Sequence, residues 1–254
     1  AGYCNTSGSY NNFFGHDAGF CNTTGRYNNF FGFRAGHFNT TGGYNNFFGC
    51  ETGYCNTSGC YNNFFGYGAG YDNSSGCYNN FIGYEAGRHN ISGYDNNFIG
   101  DGSGWSNTTG NHNNFFGGYT GLSTSASYKV LLGEGNYSGY FDSPNTTKDT
   151  QLAIGIRTDA NPANYWIVGN ENFNVGIGTT NPTSKLTVGG DARITGVITA
   201  SSFVGNGSGL TNIGYASTAG IATVAQGLTG TPNITVGVAT VTTLNITGNT
   251  TITD

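Results

Sequence analysis

Six cysteines fall within the first 80 residues of this 254-residue chain, and their spacing is the first chemical signal. Cys4 and Cys21 are 17 residues apart, and so are Cys60 and Cys77. If a 17-residue unit stacks on its own copies, each pair lies about 4.8 Å apart, within the Cα window for a disulfide. The chemistry would be bridging of neighbouring units, with Cys50 and Cys55 as a third pair across a turn. The same six residues equally suit free thiols used as small apolar fillers. A metal site is not expected, because the chain has no CxxC and His16, His37, His89 and His112 fall at different places in the unit.

A second signal is the triplet N-x-[ST], which recurs at Asn5, Asn22, Asn39, Asn56, Asn73, Asn90 and Asn107. As a motif it is an array of N-glycosylation acceptors. As backbone physics, N-T-T-G is a turn in which Asn and Thr bond their own backbone, and that reading accounts for the Gly that follows. Catalytic chemistry finds little to use. The chain has no G-x-S-x-G, H-E-x-x-H or G-x-x-x-x-G-K-[ST]. Asp17, Glu51, Asp72, Glu85, Asp95 and Asp101 read as scattered over different places of the unit, so no carboxylate pair stands out and no enzyme is expected.

The element that must position these residues is an internal repeat, which has to be found before any fold is assigned. Seven copies start at Ala1, Ala18, Ala35, Thr52, Ala69, Ala86 and Ser103, and an eighth starts at Thr120-Gly121 and dissolves. Each reads roughly A-G-x-x-N-[TSI]-[ST]-G-x-[YHD]-N-N-F-[FI]-G-x-x. Glycine and asparagine, with 45 and 35 residues, make nearly a third of the chain, while charged residues are only 8%. That rules out an ordinary globular composition. Glycine does not fall at every third position and there are only 4 prolines, which excludes collagen. Aromatics at 15% and a net charge of −5 argue against disorder. Eight basic residues make a poor nucleic-acid binder. No apolar run spans a membrane, the N-terminus is no signal peptide, and the lack of Met marks a processed or partial segment. No cofactor is expected.

Repeated Gly makes helices costly, so the unit is expected to be one coil of an all-β solenoid, with a strand, turn, strand, turn path. Seven coils would form a rod on the order of 33 Å long. Gly is expected at corners that need positive φ. Stacking in register puts Asn11, Asn28, Asn45, Asn62, Asn79, Asn96 and Asn113 in a ladder of side-chain amides. The paired aromatics decide more. Neighbours in a strand point to opposite faces. Phe13, Phe30, Phe47, Phe64, Phe81, Phe98 and Phe115 can fill the coil. Phe14, Phe31, Phe48, Phe65, Ile82, Ile99 and Phe116 must then point outward as an apolar stripe. Such a stripe exceeds what a lone soluble chain exposes, so lateral association into a homotrimer, or next a dimer, is expected. A bulge that tucks both rings inside is the alternative.

Strands with Asn before and Gly after, one per short coil, resemble the head repeats of trimeric bacterial adhesins of the YadA type, a β-roll that trimerises. The family period is shorter than 17, so the likeness is one of style. After residue 121 the period stops. Lys129–Leu132, Gln151–Ile156 and Tyr165–Val168 read as a small β connector module over residues 122–174. Residues 175–254 then carry Val175-Gly176-Ile177-Gly178-Thr179-Thr180-Asn181-Pro182, Lys185-Leu186-Thr187-Val188 and Ile194-Thr195-Gly196-Val197-Ile198-Thr199-Ala200. Phe203-Val204-Gly205-Asn206-Gly207-Ser208-Gly209-Leu210-Thr211 continues them. This stretch resembles fibre and appendage proteins of marine tailed phages, cyanophages above all. The resemblance implies a stalk of intertwined strands, a virion-surface or extracellular location, and partners that are other virion structural proteins and a host-surface glycan or polymer. Residues at places three, four, nine, ten, sixteen and seventeen of the coil would make the recognition contacts. No membrane insertion is implied. Rival readings are a cell-derived adhesin or glycan-coated filament, and an ice-binding solenoid using the Thr/Ser rows.

Overall fold

The computed structural model describes residues 1–121, 125–136, 139–145, 148–149, 151–157, 164–199 and 201. The chain divides into two compact units, Ala1–Thr195 and Gly196–Asp254. The stalk stretch Phe203–Thr211 and the rest of the expected stalk beyond it lie outside the described residues. The described residues form an all-β solenoid of 17-residue coils with no helix.

Each coil contributes one three-residue strand at places twelve to fourteen. These are β1 (Asn12–Phe14), β2 (Asn29–Phe31), β3 (Asn46–Phe48), β4 (Asn63–Phe65), β5 (Asn80–Ile82), β6 (Asn97–Ile99) and β7 (Asn114–Phe116). All pair in parallel with like residues aligned, for example Phe13↔Phe30 and Phe47↔Phe64. Identical sequences at a fixed period leave only this register, because any slip would put an Asn over a Phe.

The second strand expected in each coil is absent among the described residues. The cause is backbone handedness. Left-handed φ recurs at place two (Gly19, +59°), place ten (Tyr27, +58°), place fifteen (Gly32, +143°) and place seventeen (Arg34, +54°). A strand cannot pass through so many such residues. The other walls are turns whose amides still reach the next coil, as in Gly19 N–H to Ala35 O at 2.9 Å and Cys21 N–H to His37 O at 2.8 Å.

Glycine at place two is forced twice over. Gly53 has φ +58°, and a Cβ there would sit 2.4 Å from the Phe47 ring. Place eight is different. Gly25 has an ordinary φ, but a Cβ would lie 2.4 Å from both the Asn22 amide oxygen and the Gly42 carbonyl oxygen. That glycine provides room for the hydrogen bonds of the turn rather than conformational freedom.

The core is a single stack. Phe30, Phe47, Phe64, Phe81, Phe98 and Phe115 have no exposure, and Ala18, Ala35, Ala69 and Ala86 pack beside them. Their rings lie parallel with centroids 4.7–4.9 Å apart. Where Ser and Thr replace Ala at place one, the hydroxyls find partners: Thr52 Oγ1 donates to Gly66 O at 2.6 Å, and Ser103 and Thr120 hydroxyls meet at 2.8 Å.

The 17-residue period ends near residue 121, but the sheet does not. β8 (Val130–Glu134) pairs in parallel with β7, one residue short of a full repeat, and β9 (Leu152–Ile156) pairs in parallel with β8. β10 (Asn164–Gly169) then turns antiparallel to β9, with a bulge between Tyr165 and Ile167. β11 (Val175–Ile177) is antiparallel to β10, and β12 (Leu186–Val188) is parallel to β11. One sheet of twelve strands therefore runs in sequence order across residues 121/122 and 174/175, where composition changes.

Candidate interaction surface

The strand periodicity sorts each Phe-Phe pair. The first ring goes into the stack, and the second stands on the outer face. Phe48, Phe65, Ile82, Ile99 and Phe116 are each 36–42% exposed, and Phe14 on the first coil is 62% exposed. No bulge brings both rings inside, since β1 to β7 pair residue for residue without a register shift.

This outer column is longer than the repeat. Strand pairing aligns Phe116 with Leu132, Leu132 with Ile154, Ile154 with Ile167, Ile167 with Ile177, and Ile177 with Val188. Every strand from β1 to β12 thus places one apolar residue on the same line. Residues Leu132, Ile154, Ile167, Ile177 and Val188 were not legible as members, because their spacing in sequence is irregular. The only sequence signal was that each sits in a short apolar run. Eight of the twelve side chains are 36–44% exposed, Phe14 is more open, and Phe31, Ile154 and Ile167 are half-buried; together they offer on the order of 800 Å², close to one partner's share of a standard interface.

Two further aromatic columns flank the coil. Tyr10, Tyr27, Tyr44, Tyr61 and Tyr78 stack at place ten with centroids 4.7–4.9 Å apart. Tyr3, Phe20, His37, Tyr54 and Tyr71 stack at place three, and the Arg88 guanidinium caps the Tyr71 ring at 4.8 Å. Burial pushes the Tyr71 hydroxyl up from its ordinary pKa, with Glu51 adding to it. Stacking has a consequence for recognition. Ring faces inside a column are covered by neighbours, so edges and hydroxyls are what a surface partner meets.

The amides form three ladders where the sequence pointed to one. At place eleven, Asn28, Asn45, Asn62, Asn79, Asn96 and Asn113 are fully buried. Each oxygen accepts mainly from the backbone of the next coil (Asn45 N–H to Asn28 Oδ1, 3.0 Å), and each amide donates to a glycine carbonyl (Asn28 Nδ2 to Gly42 O, 2.8 Å). The half-exposed Asn row at place twelve runs amide to amide at 2.7–2.8 Å, from Asn12 to Asn114. The third ladder uses the N-x-[ST] residues.

That third ladder favours the turn reading of the N-x-[ST] triplets over the glycan-acceptor one. Asn22, Asn39, Asn56, Asn73, Asn90 and Asn107 are completely buried. Asn56 Nδ2 donates to Asn39 Oδ1 at 2.7 Å and to Gly59 O at 3.1 Å. Both amide hydrogens are in use and the side chain has no path to solvent, so a folded coil cannot carry a sugar there. Asn5 sits on the exposed first coil, where its Oδ1 accepts from Asn22. The ladder ends at Asn107, whose Oδ1 has no partner.

Cys4, Cys21, Cys50, Cys55, Cys60 and Cys77 stand as thiols in this structure, and successive coils bring the two 17-residue pairs of the sequence reading side by side, with Cys4 and Cys21 in hydrogen-bond contact. Cys60 and Cys77 do stack, with the Cys60 N–H 3.2 Å from Cys77 Sγ. Burial raises the thiols of Cys21, Cys50, Cys55 and Cys77 above their ordinary pKa.

The charged residues are less scattered than the sequence reading had them. Asp17, Glu51 and Glu85 share place seventeen with Arg34, and Arg34 lies 3.7 Å from Glu51. Carboxylate and imidazole also meet in successive coils where Asp72 lies 2.6 Å from His89, and Asp95 lies 3.7 Å from His112. Charges are thus paired along columns rather than gathered in a cleft. No group of three or more His, Cys, Asp or Glu that could hold a metal ion occurs among the described residues. At place six the threonine hydroxyls donate to the next coil's carbonyls (Thr23 Oγ1 to Thr40 O, 2.9 Å). The place-seven row, Ser7 to Thr109, is exposed in every coil.

Compared with known protein families, curated proteins and solved structures, the chain gives no significant match.

Proposed function

We propose that this chain is a segment of a virion fibre: a homotrimeric appendage that reaches a host surface and has no catalytic role of its own. The observation that carries the reading is the apolar line that runs through all twelve strands, across three stretches of unlike sequence. A monomer gains nothing from keeping Ile154, Ile167 and Ile177 in line with Phe116. Sister chains that bury the line against each other do. At ~25 cal/mol per Å², covering it is worth several kcal/mol per chain before the entropy of association is charged.

The likeness of residues 175–211 to stalks of marine tailed-phage fibres supports a virion-surface location, with other virion structural proteins as neighbours. Host glycan or polymer contacts would fall on the ring edges and hydroxyls of the tyrosine column and on the variable places beside it.

Light scattering with electron microscopy of the purified chain tests the proposal. Three chains in one elongated particle are expected, and antibodies to the chain should label virus particles. A monomer at micromolar concentration would overturn the trimeric reading. Thermal hysteresis in dilute solution would instead favour the ice-binding solenoid.

A further inference from the structure

The place-eleven ladder ends on a residue unlike its predecessors. Lys129 follows Asn113 in the column, its N–H donating to Asn113 Oδ1 at 3.0 Å, and its side chain has no exposure at all. Its Nζ lies 3.2 Å from Asp142 Oδ1, and Asp142 is only 5% exposed. The same oxygen accepts from the Ser143 N–H at 2.6 Å and from Ser143 Oγ at 3.2 Å. Phe141, with no exposure, and Tyr165 pack nearby at 5.7 Å between rings, and the charge of Asp142 reaches Tyr165.

The geometry points to a self-catalysed isopeptide cross-link between the Lys129 amine and the Asp142 carboxyl. An ammonium held away from water is poorly solvated, which favours the neutral amine that attack requires. Burial indeed pushes Lys129 below its ordinary pKa, against the opposing charges of Asp142 and Asp149. One proton passes from Nζ to Asp142 Oδ2. The amine then attacks Cγ, forming the C–N bond while charge builds on Oδ1, where the Ser143 N–H points and which the Ser143 hydroxyl, shared with Asn145 O at 3.0 Å, can also reach. A second proton moves from nitrogen to Oδ2, the Cγ–Oδ2 bond breaks, and one water leaves. The sum is ammonium plus carboxylate giving amide plus water, with no oxidant, metal or cofactor. Asp149, whose Oδ1 accepts from the Ser127 N–H at 2.6 Å, is the second carboxylate whose charge reaches Lys129. The product ties β8 to the segment before β9 where the strict repeat ends.

Intact-mass spectrometry of the folded full chain tests this. The expected mass is about 18 Da below that of the sequence, the loss of one water, with a branched proteolytic peptide that joins the Lys129 and Asp142 segments. Asp142→Asn should lose about 17 Da instead, because ammonia leaves in place of water. Lys129→Arg should show the full sequence mass. Ser143→Ala should slow bond formation in freshly refolded protein. A wild-type chain that is folded by circular dichroism yet has the full sequence mass would overturn the proposal.

Discussion

Replacing Asn56 with Ala tests the buried amide ladder directly. Asn56 makes three hydrogen bonds: it donates to Asn39 Oδ1 and Gly59 O, and accepts from Asn73 Nδ2 at 2.9 Å. Gly59 O keeps a second donor, Asn45 Nδ2 at 2.7 Å, so it is not stranded. Asn39 Oδ1 and one Asn73 amide hydrogen are left without a partner in a place that water does not reach. At ~1–3 kcal/mol for each buried unsatisfied group, the loss is about 2–6 kcal/mol. Asn63→Ala is the control. Asn63 also makes two ladder bonds, to Asn46 and Asn80 at 2.8 Å each, but it is half-exposed and water can replace them. Its expected loss is about 1 kcal/mol. Because repeat arrays open locally, the measurement is native-state hydrogen exchange at the amides of coils three to five, alongside urea midpoints. Equal effects at the two sites would refute the reasoning, since burial would then not govern the cost of a broken ladder.

The two rings of one strand should also separate. Phe64→Ala, in the stack, should cost about 3–5 kcal/mol, whereas Phe65→Ser should change single-chain stability by no more than about 1 kcal/mol yet weaken association; sedimentation velocity and denaturation together read this out. Gly53→Ala combines a left-handed backbone with a Cβ 2.4 Å from the Phe47 ring, so a loss of about 2–4 kcal/mol is expected in a thermal melt. Stability should fall at alkaline pH. The folded pKa values of Cys21, Cys50, Cys55 and Cys77 are raised above 9.0, so their contribution is whole below pH 9 and is lost as pH rises through the folded values. In a chain whose Lys129 amine is still uncoupled, Lys129 has the opposite sign: its lowered pKa makes burial less costly as pH rises toward 10.5. Replacing the four thiols with Ser should shrink the alkaline decline, measured by melting temperature against pH. Spectra with and without reductant should give the same intact mass, and none of the buried N-x-[ST] residues should carry a glycan.

Much of the solenoid was legible because a strict period leaves the chain few choices. Equal coils stacked in register put Phe over Phe and Asn over Asn, and strand alternation alone sends Phe64 inward and Phe65 outward. What the repeat could not convey was handedness at each residue. Tyr27 and Arg34 adopt positive φ that their side chains do not announce, although Gly68 and Gly102 share the place of Arg34 and hinted at it. Those residues replaced the expected second strand with turns. The same gap explains the N-x-[ST] triplets, since a turn motif and a glycan acceptor have identical letters and differ only in which way Asn22 points.

The sequence by itself determined the coil, its period, its core ring and the need for glycine at place two, because each follows from local sterics repeated at a fixed interval. Only the tertiary structure decided that three amide ladders run along the coil, that Asp17, Arg34 and Glu51 form a column, and that the apolar line passes through Leu132, Ile154 and Ile167 after the period fails. Those are facts of which backbone lies beside which. Pairing between strands of unequal spacing is set by the folded sheet and leaves no periodic trace in the chain.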